Sequence, residues 1–198
     1  DRSVSRGLGD VYKRQVYYNL IEAVNENMDY MHQYMKLRKK LLGVEELHMY
    51  DLYTPMVEQE ESEITYPMAE KEIAEALQVL GDDYVSVLKE GFANRWIDKY
   101  ENEGKRGGAY SAGNYSIHPF VLMNYQYNLD SEFTLAHEMG HALHSYYSAK
   151  NNNIFDSDYK IFVAEVASTC NEALLMDYLL KKTCLLYTSP SPRDTERS

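Results

Sequence analysis

Residues 137–141 read His-Glu-Met-Gly-His, and this short string constrains the chain more than any other feature. On an α-helix, positions four apart lie one above the other, so His137 and His141 present imidazole nitrogens to one point. Glu138 is adjacent in angle and reaches the same side without being a ligand. Two imidazoles with a neighbouring carboxylate supply part of a catalytic zinc shell and a general base beside it. The flanking residues support a helix. Asp130 reads as its N-cap and Glu132 as a first-turn acid. Phe133, Leu135, Ala136, Met139 and Leu143 continue the apolar pattern until the helix stops at Asn151–Asn153.

A catalytic zinc takes three protein ligands and keeps one position open. The third is expected from a different element. A second helix is predicted to begin near Ser157 or Asp158 and to carry IFVAEVASTCNEALLMDYLL. Glu165 falls in its apolar first half, where a carboxylate is costly unless paired or bound to metal. Glu172 follows two turns later on the same face, the place for an acid that supports a ligand from behind. His144 lies on the HEMGH face and is read as packing or support, not as a ligand.

The rest of the chain reads as mostly helical. Val16 to Leu42 repeats apolar residues at helical spacing, with Met28, Met31 and Met35 expected in a core and Gly43 as the stop. The basic cluster Lys36, Arg38, Lys39 and Lys40 then complements the helix dipole. Leu47 to Glu63 is an irregular acidic connection through Pro55. Pro67 opens a helix that runs to Leu80. Asp82 is expected to cap the next, which ends near Tyr100. The glycine-rich stretch Glu103 to Asn114 reads as turns. Phe120 to Tyr125 reads as a strand buried on both faces.

Composition narrows the function classes. The chain has 20 basic and 31 acidic residues, a net charge of −11. That balance argues against nucleic acid and anionic membranes as partners. No run approaches the roughly 20 apolar residues of a membrane span. Oligomeric state stays open. The two ends differ from the middle. Residues 1–15 and 184–198 read as opposite-strand translations of one sequencing-adapter DNA, so both are expected to be non-native. The native insert is then 16–183, expected to be a slice of a longer catalytic domain. Cys170 is its one cysteine, which fits a reducing, cytoplasmic setting.

The stretches KRGGAYSAGNYSIHPFVLMNY, TLAHEMGHALHSYYS and YKIFVAEVASTCNEALLMDYLL resemble the oligoendopeptidase F family, zinc oligopeptidases related to thimet oligopeptidase. The resemblance covers essentially all of 16–183. It implies a mainly α, gluzincin-type zinc metallopeptidase catalytic domain with a small β-sheet, present here as a fragment. It further implies one Zn2+ held by His137, His141 and Glu165, with Glu138 as base and Glu172 behind the ligands. Short peptides are the implied substrates, cut at internal bonds. Gly108, Ala109, Tyr110 and His118 are implied as cleft residues. Family members are much longer and carry downstream His and Tyr residues that contact the substrate carbonyl. A zinc-binding fragment without activity is therefore the alternative expectation.

Overall fold

The computed structural model describes residues 14–54, 56 and 63–188. The chain divides into two compact units, one up to Glu60 and one from Glu61 onward. Residues 1–13 and 189–198, within the stretches expected to be non-native, lie outside the described residues, as does Pro55.

In the first unit, the single helix predicted over Val16 to Leu42 is instead two: α1, Arg14–Glu26, and α2, Met28–Leu42. Asn27 causes the break. Its side-chain amide donates to the Ala23 carbonyl at 2.7 Å, and its backbone N–H donates to Val24 at 3.1 Å, so a local turn replaces the helical ladder. Gly43 ends α2 in the left-handed conformation, φ 67°, which a glycine adopts without steric cost. The apolar stripe is not a core within this unit: Met28 and Met31 are exposed. Arg38 is the buried residue of α2 and not a dipole partner at its surface. Its guanidinium donates to the carbonyls of Asp51 and Thr54, tying the 3-10 turn Met49–Tyr53 to the helix.

The second unit is helical around one small sheet. Helix α3, Tyr66–Ala76, begins with Pro67 in its first turn and tightens into a 3-10 segment, Leu77–Leu80. Helix α4, Asp82–Ala93, has Gly81 at its N-cap; Asp82 is already inside the first turn with Asp83. It stops well before Tyr100, because the chain after it joins the sheet. Strand β1 is Ile97–Asp98, β2 is Tyr110–Ala112 and β3 is Phe120–Leu122, in the order β1-β3-β2. β1 runs parallel to β3, and Trp96, Asp98 and Lys99 carbonyls accept from Val121, Met123 and Tyr125. β2 pairs antiparallel with β3, so the glycine-rich stretch is not turns alone. Burial alternates along the middle segment: Val121, Met123 and Tyr125 are buried while Phe120 is exposed. One face packs on the helices; the expected burial on both faces does not occur.

Helix α5, Leu129–Asn151, and helix α6, Ile161–Thr188, complete the unit. The N-cap of α5 is Asn128, whose side chain accepts from the Ser131 N–H at 2.9 Å; Asp130 sits in the first turn instead. α6 starts later than Ser157–Asp158. Leu135, Ala136, Met139, Ala142 and Leu143 of α5 are buried in a core shared with Ile73, Leu77, Leu88 and Leu175. Burying one such side chain contributes about 1.5–3 kcal/mol, so this core fixes the register of α5. No helix among the described residues is long and apolar enough to cross a membrane.

Candidate metal centre

The apolar face of α5 points into the core, which leaves His137 and His141 on the side turned toward α6. Their rings stand edge to face, with centroids 4.8 Å apart. The two Nε2 atoms are 3.1 Å apart. Glu165 of α6 brings its Oε2 to 3.4 Å from each of them. Ligands about 2.0–2.1 Å from a tetrahedral zinc are spaced roughly 3.4 Å from one another, so this triangle has the dimensions of such a shell. His137, His141 and Glu165 form a group that could hold a metal ion. Two imidazoles and one carboxylate favour zinc over magnesium or calcium, which prefer oxygen alone.

Glu172, two turns beyond Glu165, makes a short contact with Nδ1 of His137. A carboxylate there takes the Nδ1–H as a hydrogen bond and leaves Nε2 with a lone pair facing the centre. His141 is held toward its neutral form by burial, with the neighbouring Glu165 opposing the shift. Glu138 is buried, and its Oε2 has no hydrogen-bond partner. Burial pushes its carboxyl above the usual range; His137 pulls it down and Glu165 pushes it up.

Three residues that sequence reading passed over hold this geometry. At Gly140 a Cβ would sit 2.6 Å from the Ser168 Cα and 2.8 Å from the Ala167 carbonyl oxygen. Any side chain there would push α6 away and take Glu165 with it. Asn171 is buried and donates to the Ala136 carbonyl at 3.1 Å, while accepting from the Tyr84 hydroxyl at 3.0 Å. That bond pins α6 to the residue before His137. Ser168 is fully buried, and its hydroxyl lies 2.9 Å from Glu165 Oε2. The available signal was a glycine inside a helix and small polar residues spaced along the face of α6 that carries Glu165.

The other candidates lie elsewhere. His144 stacks on Tyr159 with centroids 3.8 Å apart and belongs to no metal group among the described residues. His118 stacks on Trp96 at 5.4 Å and lines a cavity of about 430 Å³ with Tyr146 and Lys150. Gly108 and Ala109 line a different cavity, of about 410 Å³, with Asn124 and Thr134. Tyr110 is exposed on the outer strand β2. Neither cavity is lined by His137, His141 or Glu165.

Residues 10–190 match the profile of Peptidase family M3. Oligopeptidase PepF of Bacillus subtilis is 51% identical over 166 residues, which cover 84% of this chain and 25% of that protein. Group B oligopeptidase PepB of Streptococcus agalactiae is 46% identical, over 85% of this chain and 28% of its own length. A crystal structure of a Chlamydophila abortus protein superposes with a TM-score of 0.76 at 42% identity, covering 89% of this chain and 29% of that one. The chain thus spans about a quarter of the length of the curated relatives it matches.

Proposed function

The chain belongs to peptidase family M3, and from that membership we propose that it is the metal-holding part of a zinc metalloendopeptidase that hydrolyses internal bonds of short peptides. The observation that carries this reading is the convergence of His137 Nε2, His141 Nε2 and Glu165 Oε2 at 3.1–3.4 Å from one another. These three residues would hold one Zn2+. When bound, the ion supplies Lewis acidity, which polarises a peptide carbonyl and makes water a nucleophile near neutral pH. Relatives named as oligopeptidases support short peptides as the substrate class. The exposed, unpaired thiol of Cys170 fits a reducing, cytoplasmic setting.

The chain's own groups then divide the work. Glu172 receives the Nδ1 proton of His137 as a hydrogen bond and holds the ring in one orientation. Glu138 takes a proton from the attacking water onto its carboxylate and returns it to the leaving amine nitrogen. Burial raises the pKa of Glu138, which makes its carboxylate a stronger base toward that water. The buried, unpartnered Oε2 leaves an oxygen free for that proton.

A second reading is that the chain binds zinc without turning over peptides. The quarter-length span relative to the curated relatives favours it. Zinc content of the purified chain, together with hydrolysis of an internally quenched peptide with and without chelator, decides between them. Stoichiometric zinc with chelator-sensitive cleavage supports the first reading, and zinc without cleavage the second. Absence of stoichiometric zinc would sink both.

A further inference from the structure

We propose that Ser168 is a positioning residue for the third ligand, its hydroxyl holding Glu165 Oε2 where both imidazoles can share an ion with it. The inference rests on the zinc reading above and extends it to a residue outside the ligand set. Ser168 is fully buried between α5 and α6, yet its hydroxyl has two acceptors within reach: the Glu165 carbonyl at 3.1 Å and Glu165 Oε2 at 2.9 Å. A hydroxyl has one proton to give. A helical serine commonly spends it on a carbonyl one turn back. Here that carbonyl is already served by Thr169, whose Oγ1 donates to it at 2.5 Å. The carboxylate is the nearer acceptor, and a hydrogen bond to a charged oxygen is the stronger one.

The geometry gives this bond a purpose. The Glu165 side chain is 61% exposed, so packing does little to fix its torsions. The oxygen that Ser168 touches is the same one that lies 3.4 Å from each Nε2. A donor from the buried side of α6 therefore selects the rotamer that closes the triangle before any ion arrives. The merely structural account is that position 168 must be small because it faces Gly140. Alanine meets that requirement equally well, so the two accounts part at one substitution.

The test is zinc affinity of the full chain by competition with a chromophoric chelator, beside circular dichroism of each metal-free variant. Loss of a group that orients a metal ligand lowers affinity by about 10–100-fold, and that is the fall expected for Ser168→Ala. Thr169→Ser, which keeps the bond to the Glu165 carbonyl, is expected to bind as the unsubstituted chain does. In a Glu165→Ala background, adding Ser168→Ala is expected to cost nothing more, because the group it acts through is gone. Unchanged affinity in Ser168→Ala overturns the inference while leaving the zinc reading intact. So does an equal fall with and without Glu165, or a fall that accompanies loss of helical signal. Absence of zinc from the unsubstituted chain overturns both.

Discussion

Glu132 and Glu138 sit less than two turns apart on α5, both buried and both pushed toward the neutral form, yet their surroundings could hardly differ more. Glu138 faces a histidine pair and a second helix that brings Glu165 to the same point. Glu132 is fully buried with no hydrogen-bond partner on either oxygen, and burial with the neighbouring Glu72 raises its carboxyl to about 7, Lys182 opposing. Lys182 gives its closest contact to Glu72 instead, at 2.6 Å. A buried acid with a shifted titration is therefore not in itself a reactive one. What separates these two is whether a group of side chains that could hold a metal ion converges beside the acid.

The contrast can be broken most sharply by substituting each acid with its amide. Glu138→Gln should lower peptide hydrolysis by about 10²–10⁴-fold with zinc content unchanged, whereas Glu132→Gln should leave turnover alone. Equal loss from both, measured on the same fluorogenic peptide, would erase the distinction. Next in size is a stability effect confined to Glu132. Its carboxyl is raised in the folded chain, so the stability it contributes is full below pH 4.5 and is lost as pH rises through about 7. Glu132→Gln, which is never charged, should thus gain about 3 kcal/mol over the unsubstituted chain above pH 7 and nothing at pH 4. Thermal melts across that range check it, and a gap that does not vary with pH refutes it.

Smaller effects refine the picture at each end of the helix. Glu172→Gln keeps the size of the group behind His137 but removes its charge, and zinc affinity should fall about 10–100-fold. Direct titration against a competing chelator reads this, and an unaltered constant would leave Glu172 as an onlooker. At the Glu132 end, Asn128→Ala should cost about 1 kcal/mol through the lost cap. Asp130→Ala should cost only about 0.3–1 kcal/mol, through the helix dipole alone. Chemical denaturation of the two variants shows which residue caps α5.

The placement of His137, Glu138 and His141 on one helix, and of Glu165 and Glu172 on another, is legible in the sequence, because a fixed period of 3.6 residues sets which positions share a face. The elements that needed a partner to exist were not. β2 emerges from a glycine-rich stretch because β3 offers it a ladder, and β1 follows α4 because Trp96 and Asp98 present carbonyls to the middle strand. Asn27 breaks a strongly periodic helix through two local hydrogen bonds that hydrophobic spacing does not register. Asn128 outcompetes Asp130 as cap because Ser131 is within its reach and, in turn, accepts from Gln126. Ser168, Asn171 and Gly140 gain their roles only where α5 and α6 touch, a relation no single segment encodes.

The closeness of α5 and α6 at Gly140 also has a bearing on how the five-letter signature is written. Its third and fourth places are customarily left as wildcards. In this molecule neither is open: Met139 is wholly enclosed on the opposite flank, and the next place tolerates a hydrogen where any carbon would strike the Ser168 backbone. A library that randomised only those two letters, sparing both histidines and Glu138, would lose most of the members in which α5 and α6 keep this packing.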